Sequence, residues 1–233
     1  MEKRATKQEW WELQQAQLAY QPSFSTPKII YGHFCQTRNF AFDNEGYFSN
    51  DKSYFIPNAT FDLLALLNSK VAWSFVTGIS PAVRGGFHEM RVQYLEKVPV
   101  PKITAHERRS LTKLGERNAI AATRRLEIQL TVRHRILDLA PPERRKLSRK
   151  LEQWWTLDFT AFRTEIKHVF RTEIPVKQRG EWEGYLATQA AKVRKLDAEI
   201  EKAEQEIDAL VYQLFDLTPD EIALLETSLA GQY

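Results

Sequence analysis

The chain has 233 residues, enough for one large domain or two small ones with real cores, and 43% of them are hydrophobic. Its single cysteine, Cys35, excludes an internal disulfide, so a reducing cytoplasm is the natural setting. The charged start (MEKRATKQEWWELQQ) excludes a signal peptide, and no apolar run approaches the roughly 20 residues of a spanning helix. A net charge of +3 is too small to name a nucleic-acid partner by itself.

Residues 10–101 read as mixed strand and helix. Lys28–Tyr31 (KIIY) is short, apolar and β-branched, which predicts a strand. Phe40-Ala41-Phe42, the turn signal Asp43-Asn44-Glu45-Gly46 and Tyr47-Phe48 predict a β-hairpin or a tight loop between short strands. Tyr54–Pro57 predicts another strand, stopped by proline. Phe61–Val76 carries apolar residues at helical spacing and is expected to dock on the sheet. Gly78, Pro81, Gly85 and Gly86 then mark a loop, and Arg91–Val100 returns to an extended apolar pattern.

The second half is helical. Thr104-Ala-His-Glu107 has capping-box spacing and opens a helix to about Leu139, before Pro141-Pro142. Residues 143–171 predict one or two shorter helices with Trp154, Trp155, Phe159, Phe162 and Phe170 as core aromatics, and Pro175 and Gly180 mark a turn. Val193, Leu196, Ile200, Ala203, Ile207, Leu210, Leu214 and Leu217 form a heptad seam on a helix from about Glu181 to Phe215. Thr218-Pro-Asp-Glu221 is a second capping box, opening a short terminal helix. The fold class expected is α+β: a small mixed sheet with a docked helix, then an all-α region with a long antiparallel coiled-coil hairpin. The domains expected are 1–101 and 102–233.

Charge is distributed in two blocks. Between Lys102 and Lys150 there are 14 Lys and Arg against 5 Asp and Glu; between Leu196 and Glu226 there are 10 acidic residues and one lysine, Lys202. Pairing of the basic helix with the acidic one is the first expectation. The second sets Arg108, Arg109, Arg124, Arg125, Arg133 and Arg135 against phosphates, although their spacing scatters them around the helix.

Motifs for chemistry are sparse. His33, His88, His106, His134, His168 and Cys35 give no zinc set, and no metal site is expected. Glu165-Ile-Lys167, with Asp158 upstream, has the acid-x-Lys form of many metal-dependent nucleases, but it lies in a helical pattern where those motifs favour a strand. There is no glycine-rich nucleotide-binding turn and no Asn-Pro-Pro-aromatic motif, so no catalytic residue is assigned.

One ordered set of blocks goes further. Trp10-Trp11-Glu12-Leu13, PKIIY (27–31), FAFDNEGYFSNDKSYFIP (40–57), LLALLNSKVAWSF (63–75), ISPAVRGGF (79–87) and QYLEKVPVP (93–101) resemble the TaqI-like C-terminal specificity domain. EWEGYL (181–186) and IDALVYQLFDLTPDEIALLE (207–226) resemble the helical tail that follows it. The resemblance implies target recognition for a restriction-modification, adenine-specific DNA methyltransferase, with S-adenosylmethionine bound in that methyltransferase and no cofactor in this chain. The family's methyltransferase module lies upstream and the similarity begins almost at Met1, so a C-terminal piece or a split-gene product is expected. A more distant similarity to half of a type I specificity subunit gives the helices a spacer and docking role. The DNA-contact candidates are Arg84, Gly85, Gly86, Arg91 and Gln93, with Arg38 and Lys52 near the strand turns. Arg84 is equally placed to brace its loop by a salt bridge, and Gln93 and Tyr94 to pack in a sheet. The expected partners are duplex DNA and a methyltransferase, with self-association through the coiled coil possible in principle. The alternative is a coiled-coil protein-interaction scaffold that reads no DNA.

Overall fold

The structure, a computed structural model, describes residues 18–230; the Trp10-Trp11-Glu12-Leu13 block lies outside the described residues. By packing, the chain divides into two units. One contains the residues up to 113 together with those from 207, and the other contains residues 114–206.

The first unit opens with a short helix α1 (Gln21–Phe24) and the predicted strand β1 (Lys28–Gly32). β2 (Phe34–Cys35), β3 (Ala41–Asp43) and β4 (Ser53–Pro57) follow. β1 is the centre of an antiparallel sheet ordered β3-β1-β4, in which Ile29 faces Phe42 on one side and Ile56 on the other. Ile29 and Tyr31 are buried, as alternation on a strand requires. Lys28 is buried too. It lies directly across from Asp43, its ammonium pairs with that carboxylate, and it donates to the Phe24 carbonyl at 2.7 Å.

The hairpin expected around residues 43–46 does not form. Asp43 turns its carboxylate back on the following loop, accepting from the N–H groups of Glu45 (2.8 Å) and Tyr47 (3.0 Å). The tight-loop alternative holds, with Tyr47 and Phe48 exposed and Phe48 resting on Phe24.

The single helix expected over 61–76 is two helices, α2 (Phe61–Leu67) and α3 (Lys70–Ile79). Side chains that compete with the backbone cause the break. The Asn68 amide donates to the Phe40 carbonyl at 2.9 Å and accepts from the Phe40 N–H at 3.2 Å. The Ser69 hydroxyl caps α3 by accepting from Ala72 N–H and donates to the Leu66 carbonyl at 2.6 Å. Since Ser69 is fully buried, Ser69→Ala is expected to destabilise the protein by about 1–2 kcal/mol in denaturant unfolding.

Beyond α3, the predicted loop is a hairpin of β5 (Ala82–Val83) and β6 (Phe87–Glu89), and β2 completes a second sheet ordered β2-β6-β5. The extended segment predicted from Arg91 contains a helical turn instead, α4 (Val92–Leu95). Leu95 and Val98 are the buried residues there, and their spacing of three suits a helical turn rather than a strand. Gln93 and Tyr94 consequently lie on α4, not in a sheet.

The long helix α5 (Ala105–Leu137) starts at the predicted capping box: Thr104 N–H donates to Glu107 and Glu107 N–H to the Thr104 hydroxyl. Within the second unit, α6 (Arg149–Glu152), α7 (Phe159–Phe170) and the first part of α8 (Arg179–Leu214) enclose a core. Trp154, Phe162, Ile166, Phe170, Trp182 and Leu186 are its buried members, joined by Val132 and Ile136 of α5, and Trp155 and Phe159 pack at its edge. Gly180, expected in a turn, lies in the first turn of α8.

Three ion pairs within the second unit run in opposite chain directions: Arg117–Glu206, Arg125–Asp197 and Arg135–Glu181. The basic block is therefore paired with the acidic helix, in antiparallel order. On α8 the predicted seam is buried at Val193, Ile200, Ala203 and Ile207, but the next buried apolar residue is Val211 rather than Leu210. The terminal helix α9 (Pro219–Ala230) opens at its capping box, with Thr218 N–H donating to Glu221 at 2.8 Å.

Candidate nucleic-acid interface

The second sheet of the first unit has two unlike faces. Phe34 pairs with Glu89 and Val83 with Phe87, so by the two-residue period of strands these four side chains share one face. Cys35 and His88 occupy the other. Cys35 is buried, its thiol pushed above the ordinary range by burial, and His88 contacts Ser80 and meets Trp73 edge-on. The first face is the open one, with Phe34 at 45% and Val83 at 39% exposure.

A three-residue loop, Arg84-Gly85-Gly86, joins β5 to β6. Both glycines have positive φ, +87° and +73°, a region that side chains rarely occupy, which explains the Gly-Gly pair. The Gln36 side chain steadies the turn by donating to the Gly85 carbonyl at 2.7 Å. Arg84 is exposed at the tip and, among the described residues, has no hydrogen bond or ion pair, so the loop-bracing salt bridge is absent.

Arg91 follows β6 at the start of α4. Its guanidinium is 51% exposed and pairs with Glu89 Oε1 at 2.8 Å. The same oxygen accepts from His33 Nε2 at 3.2 Å, and the His33 ring is stacked on Phe34 with centroids 4.3 Å apart. Arg84, Gly85, Gly86, Arg91 and the exposed Gln93 thus lie on one short stretch around β6. His33, Phe34, Gln36 and Glu89 complete that surface and were not singled out by sequence. Their signal is a period-two alternation, hidden because these strands are only two or three residues long.

The other two candidates lie elsewhere. Lys52 sits exposed in the turn before β4, paired with Asp51 at 2.7 Å. Arg38 is only 20% exposed; its guanidinium donates to the Asn68 carbonyl at 2.9 Å and faces the Asp208 carboxylate at 3.3 Å. It is a brace between segments of the first unit, and it is not available in the way an exposed arginine is.

The basic helix offers few free cations. Besides the three pairs above, Arg108 binds Asp62 at 2.7 Å, and Arg133 donates to the Glu152 carbonyl and lies over the Trp155 ring. Arg109 and Arg124 are exposed. Glu165-Ile-Lys167 lies on helix α7, where Glu165 accepts from Ser148 and Lys167 pairs with Glu173, so it does not take the strand geometry of a nuclease motif. Among the described residues no three His, Cys, Asp or Glu side chains gather for a metal ion, and no helix is long and apolar enough to cross a membrane.

The open sheet face thus lies beside a glycine turn that carries the exposed Arg84, with Arg91 paired to Glu89 next to it. Residues 2–100 match the TaqI-like C-terminal specificity domain. It is a specificity domain of the restriction-modification kind, with a role in DNA recognition. Residues 104–211 match a second family, described as a domain of unknown function (DUF8810). No curated protein and no solved structure matches the chain.

Proposed function

We propose that this chain is the duplex-reading module of a type II restriction-modification methyltransferase. It positions an adenine-methylating domain or subunit that binds S-adenosylmethionine, and contributes no catalytic residue itself. The observation that carries this reading is the exposed Arg84, without a hydrogen bond or ion pair among the described residues, at the tip of the Gly85-Gly86 turn, beside the open face of the second sheet. Such a turn lets a backbone approach a groove closely while its arginine meets phosphate or a base edge. The methyltransferase would flip the adenine, and the reader would fix register.

Binding of the full chain to duplex DNA across a salt series tests this. Affinity is expected to fall steeply as salt rises, and Arg84→Gln is expected to flatten the slope by about one unit if Arg84 meets a phosphate. Absence of duplex binding at low salt would sink the reading. The scaffold alternative has its own support in Leu126 and Leu130, exposed one helical turn apart on α5. That alternative predicts partner capture with no salt-dependent DNA binding.

A further inference from the structure

We infer that Glu89 is a specificity-determining residue, its Oε2 accepting a hydrogen bond from the exocyclic amino group of a cytosine or adenine in the major groove. The inference rests on the DNA-reading function proposed above and adds a chemical rule for one base position.

A carboxylate on a phosphate-facing surface is an odd choice, because it repels the backbone that its neighbours attract. Glu89 is nonetheless held in place from two sides. His33 Nε2 donates to Oε1 at 3.2 Å, and the Arg91 guanidinium forms an ion pair with the same oxygen at 2.8 Å. Phe34, stacked on His33, fixes the imidazole that holds the carboxylate. Glu89 is central in its sheet, since β6 is bonded to β2 and β5 on its two sides. Its side chain is 14% exposed, so the group is neither sealed in the core nor swinging in solvent.

Both contacts fall on one oxygen, and Oε2 has no hydrogen-bond partner among the described residues. An ionised carboxylate only accepts, so it can recognise only a donor. On the base edges of the major groove the donors are cytosine N4 and adenine N6. Guanine O6 and thymine O4 would meet Oε2 acceptor to acceptor and be rejected. Arg91 at the same carboxylate keeps an exposed cation beside it, which suits the flanking phosphate.

The competing role is purely local, with Glu89 doing no more than aiming Arg91. Binding selection with the full chain separates the two, using a pool of duplexes about 20 base pairs long (roughly two turns at 10.5 base pairs per turn) with a randomised core. The wild type is expected to enrich cytosine or adenine at one position, and the enriched base identifies which amino group is read. Glu89→Gln, nearly isosteric and able to donate or accept, is expected to weaken that preference about tenfold or more, leaving the other positions and the salt slope unchanged. Arg91→Gln should instead lower affinity for all sequences and reduce the slope by about one. His33→Asn keeps the carboxylate but removes one of its two holds, and is expected to blur the same position, which provides a second test should Glu89→Gln fold poorly. Salt-dependent binding whose base preferences survive Glu89→Gln, or which shows no preference at all, overturns the Glu89 assignment alone. No binding at any salt overturns the DNA-reading function and this inference together.

Discussion

Replacing Lys28 by methionine is expected to lower the unfolding free energy by roughly 3–5 kcal/mol, because it strands a buried carboxylate without its counter-charge. Lys28 is fully buried, and Asp43 is nearly so. The ammonium does more than neutralise: it also donates to the Phe24 carbonyl, so its loss removes that donor as well as the charge opposite Asp43. Burial alone would push the Asp43 carboxyl upward, but the Lys28 ammonium and the N–H groups of Glu45 and Tyr47 outweigh it and hold the group below the usual carboxylate range. A carboxyl lowered on folding stabilises the native state above its unfolded value of about 3.9, and that contribution disappears as pH falls through the folded value. Urea titrations of wild type and Lys28→Met between pH 7 and pH 3 are therefore expected to converge in acid. A gap that stays constant over that range would show that the cost is one of packing and not of charge. Replacing both residues by apolar ones should recover only part of the loss, since Asp43 also organises the loop that follows it.

Asp208→Ala is expected to cost about 2–4 kcal/mol, again because a buried charge loses its partner. Asp208 is contributed by α8 but acts on the start of α3. Its Oδ1 accepts from the Lys70 N–H at 2.7 Å, next to the Ser69 cap, and its carboxylate faces Arg38. Burial pushes its carboxyl above the ordinary range, against the Lys70 N–H and the Arg38 charge. Lys70 adds a pair with Glu226 of α9 at 2.7 Å, and Glu226 in turn accepts from the Tyr212 hydroxyl. Hydrogen exchange would localise the effect: amides of residues 61–79 should lose protection, while those around Phe162 and Ile166 in the other unit keep theirs. Equal loss in both units would argue against the contact as the cause.

What could be read in advance follows the range of the interactions. Capping boxes at Thr104 and Thr218 were legible because donor and acceptor lie three residues apart. The strand Lys28–Gly32 and the pairing of basic with acidic helix were legible from apolar runs and charge blocks. The helix break at Asn68 was not, because the group that competes for its side chain is the backbone of Phe40, 28 residues earlier. At Asp43 the hairpin alternative fails and the tight loop holds for a related reason: a turn signal states that the chain reverses, not which strands it joins. Arg38 looked like a free cation because its carboxylate lies 170 residues away in sequence. At the candidate interface the glycine turn and its arginines were visible as composition, whereas His33 and Glu89, 56 residues apart, meet only in the folded sheet.

The division of the chain into units also sets an order of events during synthesis. Residues 114–206 are contiguous and can collapse as soon as they leave the ribosome, whereas the unit that carries the specificity domain is interrupted by them. Its first part emerges early but lacks the Asp208 contact to α3 until the chain has been extended past residue 207. Until then the Lys70 N–H lacks the Asp208 carboxylate that accepts from it. Loop closure over such a separation is expected to make this contact form later than the local ones.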